Sequence, residues 1–222
     1  MSDPKQFFTV IYNDGLWRME SDESRSGEGS TLQAAGPIIR EIPELLGLLS
    51  IKSMLDIPCG DFKWMQQVDL GQTHYLGADI VEPLIEDNNK AFGRDGVKFQ
   101  VLDLVAGPLP KVDLILCRDC FIHLTIPMVM SALDSIVKSE STYLLTSHYP
   151  WRAYSNNDEV DDLIIGGRRI NLEVAPFGFP PPLHSIPEGE KLPIAADKSL
   201  CLWKIESLKE PLRRAQARYR KG

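Results

Sequence analysis

The chain has 222 residues, 43% of them hydrophobic and 25% charged, with a formal net charge of −7, a balance that fits one α/β domain with additions and a substantial core. These values exclude a disordered chain and argue against a general nucleic-acid binder, which needs excess positive charge. No apolar run reaches the roughly 18 residues of a membrane span, and the start MSDPKQFF lacks the basic and apolar regions of a secretion signal, so a cytoplasmic protein without a membrane span is expected.

Residues 1–20 carry an apolar alternation from Phe7 to Tyr12 and then Trp17, which predicts a short strand or a packed arm. The polar, glycine-bearing stretch that follows reads either as a solvated linker or as a lid from Ser21 to Thr31. Ser30 or Thr31 then caps a helix reaching about Leu49, which Pro37 and Pro43 are expected to divide into short pieces.

Met54, Leu55 and Ile57 form a buried strand ending at Asp56, and the chain breaks at Pro58, Cys59 and Gly60. Asp61 is placed to cap a helix from Phe62 to Gln67, and Gly60 lets a ligand approach the backbone closely. A second strand ends at Asp79, 19 residues past Gly60, and a helix follows through Ile85 and Ala91. An acid about 20 residues past the glycine turn sits beside it in a nucleotide-binding βαβ unit and bonds ribose hydroxyls.

A third strand, VKFQVLDL, carries Asp103 at its end, and a fourth runs from Leu114 to Cys117. Thr125 caps a helix with Pro127 in its first turn, and STYLLTSH is a fifth strand ending at His148. Five strands alternating with helices imply a parallel sheet with right-handed crossovers. After a polar, acidic stretch from Trp151 to Asp162, Leu183–Ile186 and Lys198–Ile205 read as an antiparallel pair at one sheet edge. Residues 208–222 hold six Lys or Arg and one Glu, read as a solvated basic terminal helix. Cys59, Cys117, Cys120 and Cys201 lie in or beside apolar runs as free thiols, and the single C-x-x-C pair predicts no metal.

Taken together, LDIPCGDF, YLGADI, FQVLDL and DLILCRDCFIHL resemble the successive motifs of class I S-adenosylmethionine-dependent methyltransferases. SGEGSTL, the PCGDF-x-WM turn, RDC-x-x-HL, GGRRINLEVAPF and DKSLCLW are similar to a narrower, bacterial-type group, over roughly residues 26–205. The resemblance implies a Rossmann-like, seven-stranded, mainly parallel sheet of order 3-2-1-4-5-7-6, its last strand antiparallel, with helices on both faces. It divides the chain into an arm, lid loop and helix (1–50), a methyltransferase core (51–207) and the basic tail (208–222).

The resemblance also implies S-adenosyl-L-methionine as cofactor. Asp56 and the Cys59–Gly60 backbone, with Pro58, Asp61 and Trp64 around the turn, would hold the methionine end. Asp79 with Ile80 would take the ribose and Asp103 with Leu104 the adenine. Cys117–Arg118 would wall the sulfonium, and Ser26 and Ser30 would close over from the loop. Pro58 and Phe62 stand where the commoner motif has glycines, which stiffens the turn.

Methyl transfer chiefly asks for alignment of nucleophile, methyl carbon and sulfur, and a base is needed only for some acceptors. Asp119, His123 and His148 follow the fourth and fifth strands, where the acceptor must lie, and are the candidate catalytic residues. His123 could equally be a helix-entry residue bonded to backbone. Arg118 and Arg169 fit either an acidic acceptor or the chain's own acids. The expected function is methyl transfer, with a hydroxyl of a small-molecule or glycan-like acceptor as target and no nucleic-acid partner. The alternative is a scaffold of the same fold that binds the cofactor without transfer; the missing G-x-G-x-x-G argues against a nicotinamide enzyme.

Overall fold

Leu55 and its neighbours on the first strand are fully buried, and the sheet is built outward from them. A computed structural model describes residues 3–18, 24–150, 156, 162–188 and 197–219. Its strands are β1 (Ser53–Asp56), β2 (His74–Asp79), β3 (Val97–Val101), β4 (Leu114–Cys117), β5 (Tyr143–His148), β6 (His184–Pro187) and β7 (Ser199–Lys204). They form one sheet of order β3-β2-β1-β4-β5-β7-β6. The first five are parallel, and β7 is antiparallel to both β5 and β6. This is the Rossmann-like order that the resemblance implied.

Apolar side chains on the two faces of the sheet make two cores. Helix α2 (Leu32–Leu48) and helix α3 (Glu82–Phe92) cover one face, through Ile38, Ile42, Leu84 and Ile85. On the other, α4 (Ile126–Lys138) and α5 (Lys209–Tyr219) pack with Val129, Leu133, Leu212 and Ala215. The basic tail is thus a docked helix over its described part: its apolar stripe is buried, while Arg213 and Arg214 bond Glu210 on the outside. No helix among the described residues is long and apolar enough to cross a membrane.

Three local expectations need correction in whole or in part. Of the two readings of Phe7–Tyr12, the packed arm holds and the strand does not: the segment lies in a helix, α1 (Pro4–Asp14), with Phe7, Phe8 and Tyr12 packed against the cores. Asp3 accepts from the Lys5 N–H, Pro4 opens the first turn, and Gly15 closes the helix in the left-handed region at φ 62°, so every end signal favours the helix. Phe7, Phe8, Ile11 and Tyr12 then share one side, as the i, i+4 spacing of a helix requires.

The second correction is α2, which passes through Pro37 and Pro43 unbroken. Each proline costs about 3 kcal/mol in a helix interior. Burying Ala35, Ile38, Ile42, Leu45 and Leu46 offsets this, at roughly 1.5–3 kcal/mol for each of the larger side chains. Continuous packing wins over the local penalty.

Third, Asp61 does not begin a helix over Phe62–Gln67. Phe62 sits at φ 59°, a left-handed conformation that an α-helix excludes, and only a short 3-10 turn forms at Met65–Gln67. What holds Phe62 there is its fully buried ring, packed against Tyr75, Phe92 and Phe99 with centroids 5.1–5.3 Å away.

Candidate active site

The carboxyl ends of β1, β2, β3 and β4 open into a single cavity of about 140 Å³, roofed by α1 and the loop before α2. Asp56, Asp79 and Asp103 come to it from three successive strand ends. Asp56 accepts a 2.6 Å bond from the Tyr75 hydroxyl. Burial pushes its pKa up to about 7, against the opposing pull of that bond and of Arg118. Asp79 accepts from the N–H groups of Val81 at 3.1 Å and Gly60 at 3.3 Å, and burial raises it to about 6. Two buried acids poised near neutrality form a site that favours a donor or cation bringing its own hydrogen bonds.

The turn after β1 is fixed from three sides. The Cys59 N–H donates to the Ala78 carbonyl at 2.8 Å, and Asn88 of α3 donates to the Gly60 carbonyl at 2.8 Å. Gly60 itself stands at φ 54°, and a Cβ there would lie 2.5 Å from Ser26 Oγ, so only glycine fits under the loop. Asp103 caps its own turn, accepting from Val105 and Ala106 at 2.7 and 3.0 Å.

Beyond β4 the charges are paired. Arg118 donates through Nε and Nη2 to Glu188, at 2.8 and 2.6 Å, and through Nη2 to the Gly29 carbonyl at 2.8 Å. Its guanidinium also lies over the Trp64 ring. Asp119, at φ 53°, accepts from Lys198 at 2.6 Å and from Ser147 at 3.1 Å. Burial alone would raise the Asp119 pKa, but Lys198 and Arg118 outweigh it and hold the carboxyl well below the usual range.

His123 lines the cavity, with Nδ1 3.1 Å from the Ile164 carbonyl. A carbonyl only accepts, so Nδ1 carries the proton of the neutral ring and Nε2 keeps the lone pair. Burial lowers its pKa below the ordinary value of 6.5. Trp17 lies 4.8 Å from the imidazole, centroid to centroid, and Phe8 6.3 Å.

Of the residues singled out in the sequence, Ser26, Ser30, Asp56, Pro58, Cys59, Gly60, Trp64, Asp79, Ile80, Asp103, Leu104, Arg118, Asp119 and His123 all line this cavity. Asp61, Cys117 and His148 do not. Asp61 turns away to accept from the Ser24 hydroxyl and the Arg25 N–H, at 2.8 and 2.7 Å. Cys117 is fully buried within β4. His148 is fully buried edge-on to Trp203, its Nδ1 accepts from the Leu172 N–H, and burial pushes it down to about 4.

Sequence reasoning missed Lys198 and Glu188, which reach Arg118 and Asp119 only because the antiparallel strands β6 and β7 return on the far side of β5, and it missed Phe8, Tyr12 and Trp17 as cavity wall. The one available signal was two charged residues flanking the edge strands.

No protein-family model matches the sequence, and no curated protein matches it. Among solved structures, the chain is similar to Burkholderia thailandensis 1,6-didemethyltoxoflavin-N1-methyltransferase with bound 1,6-didemethyltoxoflavin and S-adenosylhomocysteine. The likeness has a TM-score of 0.57 at 16% identity, over 92% of this chain and 91% of that one. A second similar structure is human N-acetylserotonin methyltransferase in complex with SAM, with TM-score 0.50 and 17% identity. That match covers 67% of this chain, which spans only 43% of the human protein's length. The fold is shared with these structures.

Proposed function

We propose that this chain is an S-adenosylmethionine-dependent methyltransferase acting on a hydroxyl of a small-molecule acceptor. The observation that carries the reading is the set of three carboxylates, Asp56, Asp79 and Asp103, set at successive strand ends around one cavity. A nucleoside attached to an amino acid supplies matching donors: an ammonium for Asp56, a ribose diol for Asp79 and an adenine amino group for Asp103. The two solved structures named above, each crystallised with the methyl donor or its product, agree with it.

The residues divide by chemistry. Asp56 with the Pro58–Gly60 backbone and Trp64 receives the methionine end, and the Cys59–Gly60 turn leaves room for its approach. Ile80 and Leu104 flank the nucleoside, and Ser26 and Ser30 close it from the loop. The bound cofactor supplies a methyl group already activated on a sulfonium, so alignment is the protein's main task.

For a hydroxyl acceptor, His123 is the base: its Nε2 takes the hydroxyl proton, and its lowered pKa keeps it unprotonated at neutral pH. Asp119, held ionised by Lys198, orients the acceptor or the imidazole instead of taking protons. His148 is set aside, because it does not line the cavity.

Calorimetry with S-adenosylhomocysteine tests the reading. Binding is expected, with Asp79→Ala weakening it by about tenfold or more, as the loss of a buried hydrogen-bonded carboxylate implies. No heat and no thermal shift with either the donor or its product would overturn the assignment.

A further inference from the structure

The acceptor side of the cavity is rich in ring faces and poor in uncommitted polar groups. Trp17, Phe8 and His123 form a contiguous aromatic wall, with Phe8 and Trp17 6.0 Å apart. All but one of their hydrogen-bonding atoms are committed: the Trp17 Nε1–H donates to the Ile165 carbonyl at 3.0 Å, and His123 Nδ1 is engaged by the Ile164 carbonyl at 3.1 Å, which leaves His123 Nε2. Tyr12, nearby on α1, donates its hydroxyl to Asp87 at 3.0 Å. Arg118 and Asp119 are committed to Glu188, Gly29, Lys198 and Ser147.

These pairings decide between acceptor classes. A sugar buried here would leave several hydroxyls unpaired, each carrying its full desolvation cost. A flat ring loses nothing of that kind and gains stacking and edge contacts beyond its area burial. From this we propose that the acceptor is a flat aromatic molecule bearing a single hydroxyl, seated against Trp17 and Phe8 with its hydroxyl at His123. The inference rests on the methyltransferase reading and replaces a glycan-like acceptor by an aromatic one.

In the reaction this implies, the methyl carbon leaves sulfur for the aromatic oxygen. The carbon–sulfur bond pair stays on sulfur, and the hydroxyl proton passes to His123. The probes are 2-naphthol and methyl glucoside, each titrated by calorimetry into the protein saturated with S-adenosylhomocysteine. Naphthol is expected to bind and the glucoside not. Trp17→Ala should raise the naphthol dissociation constant by about tenfold, equivalent to roughly 1.4 kcal/mol, and Trp17→Phe should recover most of the loss. Trp17 is only half-buried, so both variants should fold, and an affinity for S-adenosylhomocysteine within about twofold of the original confirms it. With the methyl donor, naphthyl methyl ether should form.

Glucoside binding without naphthol binding, or neither probe binding once S-adenosylhomocysteine is bound, overturns the inference and leaves the methyltransferase reading standing. Equal loss of naphthol and S-adenosylhomocysteine affinity in Trp17→Ala would make the wall part of the donor site and likewise overturn it. Absence of S-adenosylhomocysteine binding instead removes the methyltransferase reading, and this inference with it.

Discussion

Lys198 Nζ lies 2.6 Å from Asp119 Oδ2, tying the start of β7 to the end of β4 across 79 residues of sequence. Glu188 and Arg118 complete a charge-balanced group of two cations and two anions. Its members are buried except for Asp119, which is partly exposed at the cavity. Breaking a buried pair by removing one partner leaves the other charge uncompensated.

Lys198→Met should therefore destabilise the fold by about 3 kcal/mol, the lower end of the range for buried pairs because Arg118 still faces Asp119. The pH dependence has a definite sign. Asp119 has a folded pKa below its ordinary 3.8, so its contribution is present above that value and is lost as pH falls through the folded one. In Lys198→Met the carboxyl loses the cation that chiefly lowers it, so this acid-side loss should shrink. Urea unfolding of both proteins from pH 7 down to pH 2 checks the offset and its narrowing on acidification; coincident midpoints throughout would show that the pair contributes nothing.

Asp56 and Asp79 behave in the opposite sense. Their folded pKa values, about 7 and about 6, lie above the ordinary 3.8, so between these limits the folded state binds more protons than the unfolded one. Cofactor-free protein should gain stability from these two groups as pH falls from 8 toward 5, and Asp56→Asn should flatten the upper part of the rise. Binding of S-adenosylhomocysteine should weaken over the same interval, since protonation removes the negative charge that would meet an ammonium. Calorimetric titrations at pH 8 and pH 6 supply the comparison, and an affinity that improves on acidification would contradict the placement of Asp56.

The parallel sheet was legible because each strand-like run stops at an acid: Asp56 and Asp79 follow mainly apolar runs, and Asp103 follows VKFQVL, in which apolar residues alternate with Lys98 and Gln100. Helix α1 was harder to read, since Phe7, Phe8, Ile11 and Tyr12 satisfy a helical period while the run from Phe7 to Tyr12 also permits a strand. Asp3, Pro4 and Gly15 carried the deciding end signals. At Phe62 the local pattern of a capped helix lost to tertiary burial among three aromatic rings. The Arg118–Glu188 and Asp119–Lys198 pairs join residues 70 and 79 positions apart, and no local period encodes such contacts. His148 ends its strand as expected, yet residues around Leu172 cover that end of β5, which strand order alone does not reveal.

The loop before α2 is fastened at two points. Asp61 accepts from Ser24 and Arg25, its own N–H donates to Ser26, and Arg118 holds Gly29 at the other end. The lid expected over Ser21–Thr31 thus contacts both the β1 turn and the β4 end over its described part, Ser24–Thr31; residues 21–23 lie outside the described residues. Asp61→Ala removes one anchor without touching the cavity wall, and should speed amide exchange in residues 24–30 by about tenfold, as loss of roughly 1–2 kcal/mol of local hydrogen bonding implies. Adding S-adenosylhomocysteine should slow exchange there in the unmodified protein. Equal exchange with and without ligand, once binding is confirmed, would reduce the segment to a static connection.

The two histidines make opposed predictions. His123 borders the cavity with its Nε2 lone pair available by tautomer, whereas His148 is fully buried against Trp203. With an acceptor in hand, His123→Ala should lower turnover by about 10²–10⁴-fold, the usual worth of a general base, and leave S-adenosylhomocysteine affinity unchanged. His148→Ala should instead lower stability by about 2 kcal/mol, through a cavity beside Trp203 and an unpaired Leu172 N–H, with turnover per folded molecule retained. Because burial holds the His123 pKa below 6.5, activity should stay flat from pH 8 through pH 7 and fall only on further acidification, and that limb should vanish in His123→Ala. Steady-state rates across pH, paired with thermal melts of each variant, separate the two outcomes. Full turnover in His123→Ala would remove proton transfer to this residue from the mechanism and leave alignment against Asp119 as the protein's contribution.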